Sequence, residues 1–104
     1  MSDDRVFLAL ANPVRRRLLE LVAEQPTAAG ELTSQFELSR SSVTEHLTVL
    51  REAGLVADRA DGRRRIYHLT AEPLAELSDW LHPFERFWRH RLSHIADIAE
   101  DLDT

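Results

Sequence analysis

The spacing of apolar residues divides the chain into short amphipathic helices, a hairpin and a long terminal helix. Phe7, Leu8 and Leu10 predict a first short helix. It is interrupted at Asn12-Pro13, because Asn is a strong N-cap and Pro is accepted at the first helical position. In the second helix Val14, Leu18, Leu21 and Val22 recur at spacings of three and four, which gathers them on one face and leaves Arg15, Arg16, Arg17 and Glu20 mostly outside. Gln25-Pro26 ends this helix. Thr27 is the expected cap of a third short helix carrying Leu32 and Phe36, with Glu31 near the positive end of its dipole. Glu37-Leu38-Ser39 is the turn that follows.

From Arg40 to Ala53 the pattern is again helical, with Val43, Leu47 and Leu50 inward and Arg40, Ser41, Ser42, Thr44, Glu45, His46 and Arg51 on other faces. Gly54 supplies the stop. Residues 55–59 and 64–69 read as short strands joined across Asp61-Gly62, a hairpin signal, with Arg63, Arg64 and Arg65 at the tip. Pro73 then opens a long helix in which Leu74, Leu77, Leu81, Phe84, Trp88, Ile95, Ile98 and Leu102 follow a near-heptad rhythm. Pro83 is expected to kink or split it. The pattern as a whole is mainly α with a small β-hairpin wing.

Composition narrows the picture. A chain of 104 residues suits one domain with one core. No apolar run approaches the ~18 residues of a membrane span, and the N-terminus is acidic where a signal peptide is basic, so a cytoplasmic location is expected. With no cysteine, thiolate metal sites, disulfides and thiol catalysis are excluded. The net charge of −5 looks unsuited to a polyanion, but its distribution is uneven: residues 13–68 carry +1, residues 69–104 carry −5 and residues 1–12 carry −1. The middle segment is therefore the part that can approach phosphate without broad repulsion. All its basic residues are Arg, which suits phosphate and guanine recognition. No nucleophile motif, glycine-rich phosphate loop or two-histidine zinc helix is present, and a catalytic role is not expected.

Two short helices joined by a tight turn and followed by a basic hairpin are what a DNA reader of this size needs. The helix starting at Arg40 is the candidate for the major groove, since Arg40, Ser41, Ser42 and Thr44 can approach base edges and phosphates without steric conflict. Arg63, Arg64 and Arg65 would reach flanking backbone or minor groove. Glu45 would repel phosphate; it can accept from cytosine N4 or pair with a nearby Arg. Arg15, Arg16 and Arg17 disfavour the start of their own helix dipole and call for an anionic neighbour, phosphate or Glu20.

The resemblance becomes specific in Ala9-Leu10-Ala11-Asn12-Pro13-Val14-Arg15, in Leu38-Ser39-Arg40-Ser41-Ser42-Val43-Thr44-Glu45-His46-Leu47 through Leu50-Arg51-Glu52-Ala53-Gly54-Leu55-Val56, and in Gly62-Arg63-Arg64 with Tyr67-His68-Leu69. Over residues 5–70 the chain resembles the ArsR-type winged helix-turn-helix repressors. The resemblance implies a homodimer on a short palindromic operator, built from residues 1–12 and 72–104 around a DNA-binding core at 13–71 with its wing at about 55–69. Phe7, Leu8, Leu77, Leu81, Phe84, Trp88, Ile95 and Ile98 are then the expected dimer contacts; the aromatic residues Trp80, Phe84, Phe87 and Trp88 serve either that core or a ligand pocket between helices. His46 in such proteins lies in the reading helix and either contacts DNA or stabilises the domain.

Two departures from the family pattern bear on cofactors. The Cys-x-Cys pair of soft-metal sensors aligns with Ala28 and Gly30, so that site is absent. Asp79, His82, His94 and Asp97 echo the residues that hold zinc-type ions between C-terminal helices, but with Asp-x-x-His in place of Asp-x-His. The tail resembles instead a cysteine-free subgroup with no established metal requirement, and no cofactor is expected. A zinc-type switch at those four residues and a winged-helix module that binds protein in place of DNA are the rival readings.

Overall fold

The computed structural model describes residues 4–103, with side chains described as far as Arg91 and beyond it at His94, Ile95, Ile98 and Ala99. Helix α1 (Asp4–Leu10) is followed by α2 (Pro13–Glu24), the two-residue strand β1 (Thr27–Ala28), α3 (Ala29–Thr33), α4 (Arg40–Glu52), the strands β2 (Val56–Asp61) and β3 (Arg64–Leu69), and α5 (Glu72–Asp103). The three strands form one antiparallel sheet in the order β1-β3-β2.

Local chemistry sets most of these boundaries. Asn12 Oδ1 accepts from the Val14 and Arg15 amides at the start of α2, satisfying two of the four donors a helix leaves open there. Ser39 does the same for α4, its Oγ accepting from the Ser42 amide. At the other end of α4 the Gly54 amide bonds the Arg51 carbonyl and the Leu55 amide bonds the Leu50 carbonyl, with Gly54 at φ 78°. This is the paired bonding of a Schellman stop, and only glycine takes that φ without a Cβ penalty.

Three expectations are corrected and a fourth is narrowed. Thr27 does not cap α3; it lies in β1 opposite Tyr67, and its hydroxyl donates to the Gln25 carbonyl. Phe36 lies in the turn beyond α3 and not on the helix. The hairpin turn is Gly62-Arg63, one residue later than expected, because Asp61 still pairs with Arg64. Gly62 at φ 63° followed by a residue without positive φ is the pattern of a type II′ turn, which suits the strand twist. Pro83 does not split the terminal helix: α5 runs continuously through it. The proline is exposed and leaves the Asp79 carbonyl without its helical donor.

The core lies where α1–α4 meet the sheet. Ala9, Leu18, Leu32, Val43, Leu47, Leu50 and Leu55 are completely buried, and Val22, Val56 and Tyr67 nearly so. Each fully buried leucine is worth about 1.5–3 kcal/mol. Most of α5 lies outside this core. Several of its apolar residues are uncovered, Trp80 at 53% exposure, Phe87 at 68% and Ile95 at 61%, as is Leu8 of α1 at 65%. Phe7 joins the two helices, stacking edge-on against Trp80 at 5.5 Å, and Trp80 in turn meets Phe84 at 5.0 Å.

Candidate nucleic-acid interface

Helix α4 is held by its apolar side and open on the other. Val43, Leu47 and Leu50 are sealed in the core, while Arg40, Ser41, Thr44 and Glu45 are exposed and Ser42 and His46 are half-buried. The exposed residues sit in the first two turns, where short side chains let a helix approach a groove floor. Ser39 orders this end beyond its capping role. Its hydroxyl donates to Ser42 Oγ at 3.0 Å and lies 3.1 Å from Ser41 Oγ.

The wing stands against the same end of the two-helix unit. Arg64 on β3 pairs with Glu31 of α3 at 2.7 Å, and Arg65 pairs with Asp58 of β2 at 2.9 Å. Successive residues of a strand face opposite ways, so these neighbours meet carboxylates on opposite faces of the wing. Asp58 also receives Arg51 from the last turn of α4 at 3.4 Å. Arg63 at the tip and Arg40 at the start of α4 have no hydrogen-bonding or ionic partner among the described residues. Together with Gly30, Glu31, Arg64 and Arg65 they line one groove between wing and helix. The three wing arginines are thus unequal: among the described residues one has no partner and two are engaged by carboxylates.

The arginines at the start of α2 find acceptors inside the protein. Arg15 donates from Nε to the Ala9 carbonyl at 2.7 Å and from Nη2 to the Leu8 carbonyl at 3.0 Å, and Arg16 donates to the Leu10 carbonyl at 2.8 Å. These carbonyls lie at the negative end of α1, where a cation is favoured. Arg17 pairs with Glu20. Arg15 Nη1 also lies 3.3 Å from His46 Nδ1, so one guanidinium touches both α1 and α4. Neither Asp58 nor this role of Arg15 is foreseen from the sequence; a single Asp in a strand carries no signal beyond its charge. Glu45 has no Arg partner among the described residues.

The remaining candidates lie on α5. Leu77 and Leu81 are half-buried; Phe84, Trp88, Ile95 and Ile98 are exposed, with Leu8 beside them on α1. Asp79, His82 and His94 are exposed on the same helix, and His82 Nδ1 lies 3.6 Å from Glu85. The side chain of Asp97 lies outside the described residues. Among those described, no three His, Asp or Glu side chains come together as a metal site. No helix among them is long and apolar enough to cross a membrane.

A bracing helix, a tight turn, an outward-facing helix and a basic hairpin beside it define a winged helix-turn-helix DNA-binding protein. A helix-turn-helix domain model matches residues 10–59. The HTH-type transcriptional regulator Rv2034 of Mycobacterium tuberculosis is 41% identical over 99 residues, covering 95% of this chain and 90% of its own. The transcriptional repressor SdpR of Bacillus subtilis is 30% identical over 75% of this chain and 87% of its own. An ArsR-like transcriptional regulator from Rhodococcus sp. RHA1 superimposes with a TM-score of 0.71 at 29% identity, covering 93% of this chain and 89% of that one. The chain belongs to the ArsR family of DNA-binding transcriptional regulators.

Proposed function

We propose that the protein is a homodimeric repressor that reads a short palindromic operator and needs no metal to do so. The observation that carries this reading is the division of α4 into a sealed apolar face and a free polar face, with the wing fastened beside it. In this reading Arg40, Ser41, Ser42, Thr44 and Glu45 meet bases and nearby phosphates, while Arg63 reaches the flanking backbone. Arg64 and Arg65 contact phosphate only to the extent that they release Glu31 and Asp58. His46 serves chiefly to hold α4 against Arg15.

The dimer reading rests on α1 and α5. Among the described residues nine large apolar side chains are exposed, and six of them lie on α5: Trp80, Phe84, Phe87, Trp88, Ile95 and Ile98. Burying such a stripe releases roughly 25 cal/mol per Å², enough that leaving it wet in a stable monomer would be costly. A second copy related by a two-fold axis covers the stripe with the same stripe. The absence of any cysteine and the residues Ala28 and Gly30 at the soft-metal positions support metal independence. Repression in place of activation follows SdpR, which is named as a repressor.

The test is selection of bound duplexes from a random pool, with and without added zinc and at two salt concentrations. An enriched inverted repeat that is unaffected by zinc is the expected result. Loss of binding with zinc would replace this reading with a metal switch at the C-terminal helices. Failure to enrich any duplex at low salt would replace it with a protein-binding module.

A further inference from the structure

The middle of the outward face of α4, between the flanking Ser42 and Thr44, is a strip of acceptors. At 3.6 residues per turn Glu45 lies about 150° around the helix from Val43, Leu47 and Leu50, which are buried. It therefore marks the middle of the free face, with Ser41 one turn before it and Thr48 close to one turn after. Neither arginine of α4 is on this strip: Arg40 and Arg51 stand to one side of it.

The hydroxyl protons of the strip are already committed. Ser39 donates its single proton to Ser42 Oγ, so its 3.1 Å contact with Ser41 must use the Ser41 proton. Thr48 Oγ1 donates to the Thr44 carbonyl at 2.9 Å. What Ser41 and Thr48 still offer outward is lone pairs. Glu45, exposed and without a partner among the described residues, offers only acceptors when ionised.

An acceptor strip pressed into the major groove must find donors there. The groove floor provides two, cytosine N4 and adenine N6; guanine and thymine present acceptors at the corresponding positions. Adenine sets its N7 acceptor beside N6, where it would repel a carboxylate, whereas the cytosine edge has no acceptor of its own. We infer that Glu45 is a specificity-determining residue that selects cytosine at one position of each half-site and rejects guanine and thymine there. This rests on the DNA-reading assignment above. The cost of a carboxylate near phosphate is then the source of discrimination: without an amino group to accept from, the charge is buried in a polyanion with nothing to offset it.

The experiment selects duplexes from a random pool with the wild type, Glu45→Gln and Glu45→Ala, then compares affinities for the winning site with each base at the assigned position. Glu45 is exposed, so all three proteins should unfold at similar temperatures, and a thermal melt checks this. The wild type is expected to select cytosine with about tenfold or greater preference, in line with the value of one good base contact. Glu45→Gln should move the preference to adenine, which a carboxamide contacts through N6 and N7, and Glu45→Ala should bind all four bases alike. Identical preferences in the three proteins would overturn the assignment of Glu45 while leaving DNA reading intact. No enrichment with the wild type would overturn DNA reading itself, and this inference with it.

Discussion

Asp58 accepts from Arg65 across the wing at 2.9 Å with only 11% of its own side chain exposed. Because Arg51 of α4 reaches the same carboxylate, this one side chain ties the end of α4 to both strands of the hairpin. The arginines are about half exposed, so the pairs are screened and their worth is modest. Asp58→Ala should lower the unfolding free energy by about 1 kcal/mol. It should also weaken DNA binding to every sequence alike, since the wing loses its fixed distance from α4. Urea unfolding and operator titration check both; an unchanged denaturation midpoint would remove the ascribed role.

The unequal state of the wing arginines gives a second prediction. Arg63→Ala should reduce the dependence of log K on log salt by up to about one unit, with no change of sequence preference. Glu31→Gln should strengthen binding by freeing Arg64 for phosphate. Binding titrations at four salt concentrations separate the two. If Glu31→Gln weakened binding, the Glu31–Arg64 pair would be a needed support of the wing and not a competitor for DNA.

A third prediction concerns α1. Arg15 and Arg16 satisfy three carbonyls at its end, and Asn12 fixes the corner that follows. Asn12→Ala should cost about 1 kcal/mol through the lost cap. Arg15→Ala should cost a similar amount. The latter variant alone should also change the nitrogen chemical shifts of the His46 ring, which reports the contact between the two elements. A His46 spectrum identical to that of the wild type would show that Arg15 does not act on α4.

The single tyrosine provides a pH test. Burial, and secondarily the charge of Asp58, raise the Tyr67 phenol above its ordinary value of 10.0, while Arg51 and Arg65 pull it down. Above that ordinary value the unfolded chain loses the phenolic proton and the folded chain keeps it. The folded state then holds more protons, so stability falls as pH rises beyond about 10 and is untouched below it. Thermal melts from pH 8 to 11 should show this decline in the wild type and a smaller one in Tyr67→Phe. Equal declines would assign the effect to other groups.

The sequence makes the helices legible because their ends are chemical: Asn12-Pro13, Ser39 and Gly54 each satisfy or permit a backbone arrangement that few residues can. The apolar face of α4 is equally plain, since Val43, Leu47 and Leu50 keep the helical period. Thr27 is misread because its state depends on Tyr67, forty residues on, and two residues of strand show no period. The Gly62-Arg63 turn is displaced by one because Asp61-Gly62 is itself a turn-forming pair; the register with Arg64 decides between them. At the site, the identity of the basic residues is visible but their engagement is not. That Arg64 and Arg65 hold carboxylates while Arg63 does not, and that Arg15 closes α1, depends on side chains brought together only by the fold.

The central claim, that two copies present α4 to successive major grooves, is tested most directly by the spacing between half-sites. A selected inverted repeat should bind two chains, and inserting half a helical turn, about 5 base pairs, between its halves should abolish tight binding because one reading helix would then face the wrong side of the duplex. If a single half-site bound as tightly as the full repeat, with one chain and no response to the insertion, the dimeric account would be contradicted.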